Sequence, residues 1–376
     1  MSGFAVKGCC PDAWRPMPAG DGLLVRVKPR LGRLTAAQVL GLCEAAQAHG
    51  NGLIDLTRRA NLQLRGLTGA GWPVLLDQLM ALDLVDGDTA REGRRNLLVA
   101  PDWQVGDDNH RIASELLARL DDVPELPGKV GFVIDAGAAC MLGDEVGDFR
   151  IERGETGGLI LRAAGRAHGV AVEQGEEAQA LIALARWFMA SGGAAVGRMA
   201  RHRAELPGWA SGSIAPAASR SRFRPGPCDL GMAYGLPFGR IEAQILAAAV
   251  EQSTTTAVRV TPWRVLILEG ANAATIPGLL EDIADPLLHV DACPGAPACP
   301  QATVATRDLA HALAPHIAGS LHVSGCAKGC ARSTAAEVTL TGRDGLFDLA
   351  LNAAAGAPPL RSALTPAQLL HQFGAA

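Results

Sequence analysis

From Thr35 onward the apolar positions Val39, Leu40, Leu42 and Cys43 recur at helical spacing on one side. They predict an amphipathic helix over residues 35–48, with Thr35 as its N-cap. Two short strands are expected next, over 55–57 and 62–66. The same order returns two hundred residues later: a helix over 242–252 with Ile245, Leu246 and Val250 on one side, then strands over 258–261 and 265–270. The two stretches are copies. LLVRVKPRLGRL at 23–34 lies over LGMAYGLPFGRI at 230–241 without a gap, centred on Gly-Arg followed by an aliphatic residue. Residues 57–66 likewise lie over 261–270.

A weaker repeat follows each copy. Residues 148–164 match 337–353, and both read as strand, glycine-containing turn, strand. The chain is therefore read as a duplication with halves near 15–200 and 222–355. The junction at 202–227, rich in Arg, Ser, Pro and Gly, reads as a linker laid over the surface. Residues 353–359 read as small-residue coil, followed by a short helix over 366–373. Duplication predicts one site at a pseudo-twofold interface, with chemistry-bearing residues at corresponding places of the two halves.

Composition narrows the function classes. The 376 residues are 48% hydrophobic and 19% charged, which predicts a packed globule of two or three domains. Thirty-four basic against 38 acidic side chains give −4, which excludes a bulk polycation for DNA. Aromatics are 4%, with one tyrosine, too few for a stacking platform on single strands. No nucleic-acid or membrane partner is expected. The most apolar helical stretch, 178–190, carries Arg186 and is too short to span a bilayer. The N-terminal stretch has no apolar signal core, so a cytoplasmic location is expected.

Candidate chemistry lies in the cysteines. There are nine, an odd number with no export signal, which speaks against a disulfide framework. Cys293-x5-Cys299 and Cys326-x3-Cys330 form two close pairs. Three uses compete: buried fillers, a four-cysteine zinc site, and an iron–sulfur cluster. Structural zinc usually takes shorter knuckles at both pairs, and so many cysteines rarely cluster as fillers, so a cluster is favoured. Gly295, Gly325 and Gly329 let backbone N–H groups approach cluster sulfurs, and Lys328 adds positive charge beside anionic thiolates. Cys43, on an apolar helix face, is read as core. Cys9 and Cys10 are assigned no role.

The C-x5-C…C-x3-C pattern resembles that of the siroheme sulfite and nitrite reductases, and the likeness runs from about residue 20 to 351. Arg59-Ala60-Asn61-Leu62-Gln63-Leu64-Arg65-Gly66 looks like that family's first-repeat arginine motif, Arg95-Asn96 like its second arginine, and Leu126-Pro127-Gly128-Lys129 like the start of its lysine-bearing strand. The reductases carry Lys-x-Lys there, whereas this chain has Lys129-Val130-Gly131. CPDAWRPMP at 10–18, GDGLLVRV at 20–27, TPWR at 261–264 and SGCAKGCA at 324–331 are similar instead to the precorrin-3B synthase family, a branch of the same superfamily.

The resemblance implies an α+β fold with a nitrite/sulfite reductase-like internal duplication: two ferredoxin-like half-domains plus two α/β lobes. It divides the chain into a half-domain at 15–80, a lobe at 85–200, a linker at 201–227, a second half-domain at 228–272 and a cluster-binding lobe at 280–355. It implies an O2-dependent monooxygenase that hydroxylates the tetrapyrrole precorrin-3A at C20 and closes a γ-lactone, in aerobic cobalamin biosynthesis. It implies a [4Fe–4S] cluster on Cys293, Cys299, Cys326 and Cys330, a mononuclear non-haem iron, and substrate contacts from Arg59, Arg95, Lys129 and Arg264. Precorrins are polycarboxylates, and each guanidinium can grip a carboxylate bidentately. Trp263 is read as core. No Gly-x-Gly-x-x-Gly opens a helix after a strand, so electrons from NADH are expected through a separate reductase. Of nine histidines only His322, on the strand before Cys326, is placed near the cysteines, and none is assigned to the iron. Two other readings stand beside this one: a siroheme sulfite or nitrite reductase, and a non-enzymatic iron–sulfur or tetrapyrrole sensor.

Overall fold

The computed structural model describes residues 11–375; Cys9 and Cys10 lie outside them. Four five-stranded sheets make up the fold. The first is antiparallel, in the order Met17–Ala19, Gly22–Val27, Leu62–Leu67, Leu53–Leu56, Arg240–Glu242. The third repeats it as Gly226–Cys228, Gly231–Gly235, Val265–Glu269, Ala257–Val260, Arg33–Thr35. The last strand of each comes from the other half of the chain, so the two copies exchange an edge strand reciprocally.

Sequence explains how. Leu31 and Phe238 stand at corresponding positions with φ of 52° and 56°, and Gly32 and Gly239 follow, both at 71°. Two consecutive left-handed residues turn the chain sharply, and glycine takes the second at no steric cost. This is why Gly-Arg recurs at the centre of the repeat. The turn throws Arg33 and Arg240 across the pseudo-twofold axis, where Arg33 pairs with Glu269 at 2.7 Å and Arg240 with Asp55 at 2.8 Å.

After each exchanged strand comes the expected helix. Ala36–His49 starts on a Thr35/Gln38 capping box, and Ala243–Glu251 is its counterpart. Alternation in the strands sends Ile54, Leu64, Val258, Leu266 and Leu268 to one face. They join Val39, Leu42, Leu246 and Val250 in a core that runs through both copies. On the reverse face of the third sheet, Phe223 of the linker packs over Ala233, Val265 and Ile267.

The second and fourth sheets form the two lobes. In each, three parallel strands are followed by a hairpin: Leu97–Val99, Phe132–Asp135, Phe149–Arg153 with Leu159–Ala163, and Val290–Ala292, Leu321–Ser324, Ala336–Arg343 with Leu346–Ala353. Helices Asp108–Ala118 and Glu177–Ala190 cover the second sheet, and Arg307–Leu313 and Pro366–Phe373 the fourth. The hairpins are the weaker repeat. Arg361–Leu364 adds an edge strand to the fourth sheet that its sequence did not announce. The linker bridges to the second sheet at Gly154, Gly169 and Cys140, a path over the surface. Among the described residues no helix is long and apolar enough to cross a membrane.

Candidate functional site

Both cysteine pairs sit where parallel strands of the fourth sheet end. Cys293 directly follows Val290–Ala292, and Gly325-Cys326 directly follows Leu321–Ser324. The two loops are tied together: the Gly325 N–H donates to Cys293 Sγ at 3.2 Å, and the Thr303 N–H to the Gly325 carbonyl at 3.1 Å. Within the first loop Cys299 N–H reaches the Gly295 carbonyl at 2.8 Å, and Thr306 Oγ1 donates to the Cys293 carbonyl at 2.5 Å. Gly295 has φ of 67°, and a β-carbon there would lie 2.7 Å from Thr306 Oγ1, so only glycine closes this loop.

The four thiols share one electrostatic neighbourhood. Burial pushes the Cys330 thiol up, Lys328 pulls it down, and Cys293, Cys326 and Cys299 each push it up again. Such a set is costly to ionise together unless a cation holds it. Among the described residues no three His, Cys, Asp or Glu side chains form a group able to hold a single metal ion. Four thiols in one neighbourhood, with a backbone N–H on one sulfur, are residues that could hold a multi-iron centre. Nothing in the described residues assigns ligands to a separate mononuclear iron.

The first loop is also braced from the other half of the chain. The Ala298 carbonyl accepts from the Gly20 N–H at 3.0 Å and from Arg65 Nη2 at 2.9 Å, and Arg65 is itself held by Asp21 at 2.9 Å. Close by, buried Asp55 takes both Arg240 and Arg307. Burial pulls the Arg307 guanidinium down to about 10 against the Asp55 charge.

Of the expected substrate residues, Arg59, Lys129 and Arg264 lie along one stripe of contacts that passes through the Lys129 backbone and the sequence neighbours Arg58 and Trp263. Arg59 and Arg198 both donate to the Lys129 carbonyl. Arg58, next to Arg59, faces Glu145 at 3.8 Å, and Glu145 accepts from Trp263 Nε1 at 2.8 Å. Arg264, next to Trp263, pairs with Asp291 at 3.1 Å and donates to the Val290 carbonyl at 2.8 Å. Asp291 also holds Arg332, two residues beyond Cys330. The stripe thus ends at the cysteine loop. The turns carrying Arg59 and Arg264 correspond in the repeat, and each has a left-handed residue, Ala60 at 52° and Arg264 at 60°.

Two expectations are corrected. Lys129 is exposed in a turn before Phe132–Asp135, not on a strand. Arg95 is not in the stripe. It is 3% exposed, and its Nε and Nη2 bond to Glu92 at 3.1 and 2.6 Å, Nη2 also to the Leu84 carbonyl at 2.9 Å. Fully buried Glu92 faces Lys28 at 3.5 Å as well. An Arg-Asn pair in sequence does not distinguish an arginine facing a ligand from one paired in the core. The alternation Val290-Asp291-Ala292, one acid between two core residues, was the legible sign of Asp291.

The corresponding strand ends of the second sheet carry no cysteine pairs. They open into a cavity of about 620 Å³ lined by Asp102, Asp108, Asn109, Gly137, Arg153 and Glu155. Nearby Cys140 is a buried thiol, pushed up to about 11 by burial. Both cysteine pairs, Cys293/Cys299 and Cys326/Cys330, therefore lie in one half.

The family model of the nitrite/sulfite reductase ferredoxin-like half domain matches residues 15–82. A precorrin-3B synthase from Sinorhizobium sp is 34% identical, over 94% of this chain and 84% of its own length. A ferredoxin–nitrite reductase from Synechococcus elongatus is 34% identical over 89 residues, 23% of this chain and 17% of its own. Among solved structures the Mycobacterium tuberculosis NirA protein shares the fold, with a TM-score of 0.60 and 18% identity over 92% of this chain and 78% of its own.

Proposed function

Since this chain belongs to the precorrin-3B synthase family, we propose that precorrin-3A lies across the Arg59–Lys129–Arg264 stripe and that Cys293, Cys299, Cys326 and Cys330 hold a [4Fe–4S] cluster at its end. The protein is an oxidoreductase of cobalamin biosynthesis. In the proposed reaction dioxygen delivers one oxygen atom to C20 of the tetrapyrrole, and the other leaves as water. Two electrons and two protons are consumed, and an acetate side chain closes the γ-lactone. The electrons come from NADH through a separate reductase. When bound, the cluster would supply one-electron transfer.

The chain's own groups do the binding and orienting. Arg59 presents a planar set of donors suited to a carboxylate, beside the point charge of Lys129. Trp263 is fixed by its bond to Glu145, whose carboxyl burial pushes up and the indole N–H pulls back. Arg264 keeps about a third of its side chain exposed while anchored to Asp291. It can therefore meet a substrate carboxylate while still tied to the cluster lobe through Asp291. Lys328 offsets the negative charge of the thiolates.

One observation carries this reading: four cysteines from two strand ends share a neighbourhood reached by a line of contacts from Arg58 through Glu145 and Trp263 to Arg264, Asp291 and Arg332. The test is anaerobic purification, iron and sulfide analysis and a visible spectrum. A broad iron–sulfur shoulder without macrocycle bands, and oxygen consumption that requires precorrin-3A, are expected. Strong chlorin-type bands from tightly held siroheme would overturn it.

A further inference from the structure

The face of the fourth sheet turned away from its helices carries an unused histidine. His322 is fully buried, and neither ring nitrogen has a hydrogen-bond partner. Its neighbours on that face are Asp291 and Thr339, one on each adjoining strand. Both are committed elsewhere: Asp291 to Arg264 and Arg332, the Thr339 hydroxyl to the Ala353 carbonyl at 2.7 Å. The ring lies beneath the second cysteine loop, since a β-carbon on Gly329 would sit 3.6 Å from His322 Cε1. Cys293 falls next after Asp291 in the alternation of its strand, on the same face as His322.

An imidazole always carries at least one N–H, and a buried N–H without an acceptor destabilises a fold. Leucine would fill the space without that cost. The acceptor this surrounding lacks is a soft, anionic one between Cys293 and the Cys326–Cys330 loop. We propose that His322 donates a hydrogen bond to a sulfur of the cluster held by these cysteines, fixing the loop and raising the cluster's reduction potential. This rests on the reading of the four cysteines as cluster ligands. A hydrogen bond to cluster sulfur stabilises the reduced, more negative state. His322 is thus a positioning residue.

The experiment compares wild type, His322→Leu and His322→Gln, all assembled without air, by iron and sulfide content, EPR of the reduced state and EPR-monitored redox titration. Wild type without iron and sulfide would defeat the cluster reading itself. Given a wild-type cluster, the Leu variant should keep its iron but titrate at a more negative potential with an altered signal. The Gln variant, which keeps an N–H, should return most of the way to wild type. An unchanged potential and signal in the Leu variant overturns the proposal. So does loss of one iron with the cluster signal intact, which would make His322 a ligand of another metal. If the Leu variant holds no cluster, the Gln variant decides: a potential near wild type supports the hydrogen bond, and an absent cluster refutes it.

Discussion

Replacing Glu92 by alanine tests whether Arg95 belongs to the scaffold or to the substrate. Glu92 is fully buried, and the Lys28 and Arg95 side chains that share it are 7% and 3% exposed. Without the carboxylate, two cations remain in a region that water does not reach. Breaking a buried pair from one side costs about 3–5 kcal/mol. That lowers the folding equilibrium by about two to three and a half powers of ten. With a urea dependence of about 2–3 kcal/mol per molar, the unfolding midpoint falls by roughly 1–2.5 M. Tryptophan fluorescence is a suitable probe, because Trp14 and Trp72 bond to the neighbouring Asp86 and Ala13 carbonyls. A triple variant, Lys28→Met with Glu92→Leu and Arg95→Met, removes all three charges together. It should recover most of the lost stability and bind precorrin-3A as wild type does. A midpoint drop below about 0.3 M in Glu92→Ala would refute the burial argument. A stable triple variant that no longer binds substrate would return Arg95 to the pocket.

Three further outcomes are expected. Cys326→Ser should lose iron, sulfide and oxygen-dependent turnover while its far-ultraviolet circular dichroism stays unchanged. Arg59→Ala should raise the KM for precorrin-3A roughly tenfold, the worth of one charged hydrogen bond, with the iron content unaltered. Burial by itself would raise the Asp55 carboxyl, but the Arg240 hydrogen bond and the Arg307 charge outweigh it and hold it below the ordinary carboxylate range. Its stabilisation is therefore complete above that range and is lost as pH falls through it towards the folded value. Urea midpoints measured from pH 6 downward should fall less steeply in Asp55→Asn than in wild type.

Much of the architecture was readable because duplication wrote it twice. The Gly-Arg repeat, the capped helix after it and the paired strands each appeared in two ungapped copies, and the four cysteines carried their own spacing. What escaped was long-range. Arg33-Leu34-Thr35 and Arg240-Ile241-Glu242 are three-residue run-ins to helices, too short to show a period. Neither stretch shows in sequence that Arg33 meets Glu269 or that Arg240 meets Asp55. The ion pairing of Arg95 escaped the sequence because its neighbours say nothing of Lys28, which closes over the same carboxylate just past the end of strand Gly22–Val27. Arg361–Leu364 was missed because it has one buried residue and no alternation. His322 was placed correctly on its strand, but its isolation from hydrogen-bond partners is a property of three adjoining strands and a loop.

The exchanged edge strands bear on how the chain is made. Arg33 and its partner Glu269 are 236 positions apart. At about 5–20 residues per second, synthesis leaves the early strand waiting roughly 12–50 s for its sheet. During that time Leu53–Leu56 has a bare edge, because the strand that covers it, Arg240–Glu242, has not yet emerged. A bare edge pairs with whatever strand it meets first. Where two chains are crowded together, Arg240–Glu242 of one can fill the Leu53–Leu56 edge of the other, so the device that locks one molecule together also permits two to be tied into a swapped dimer.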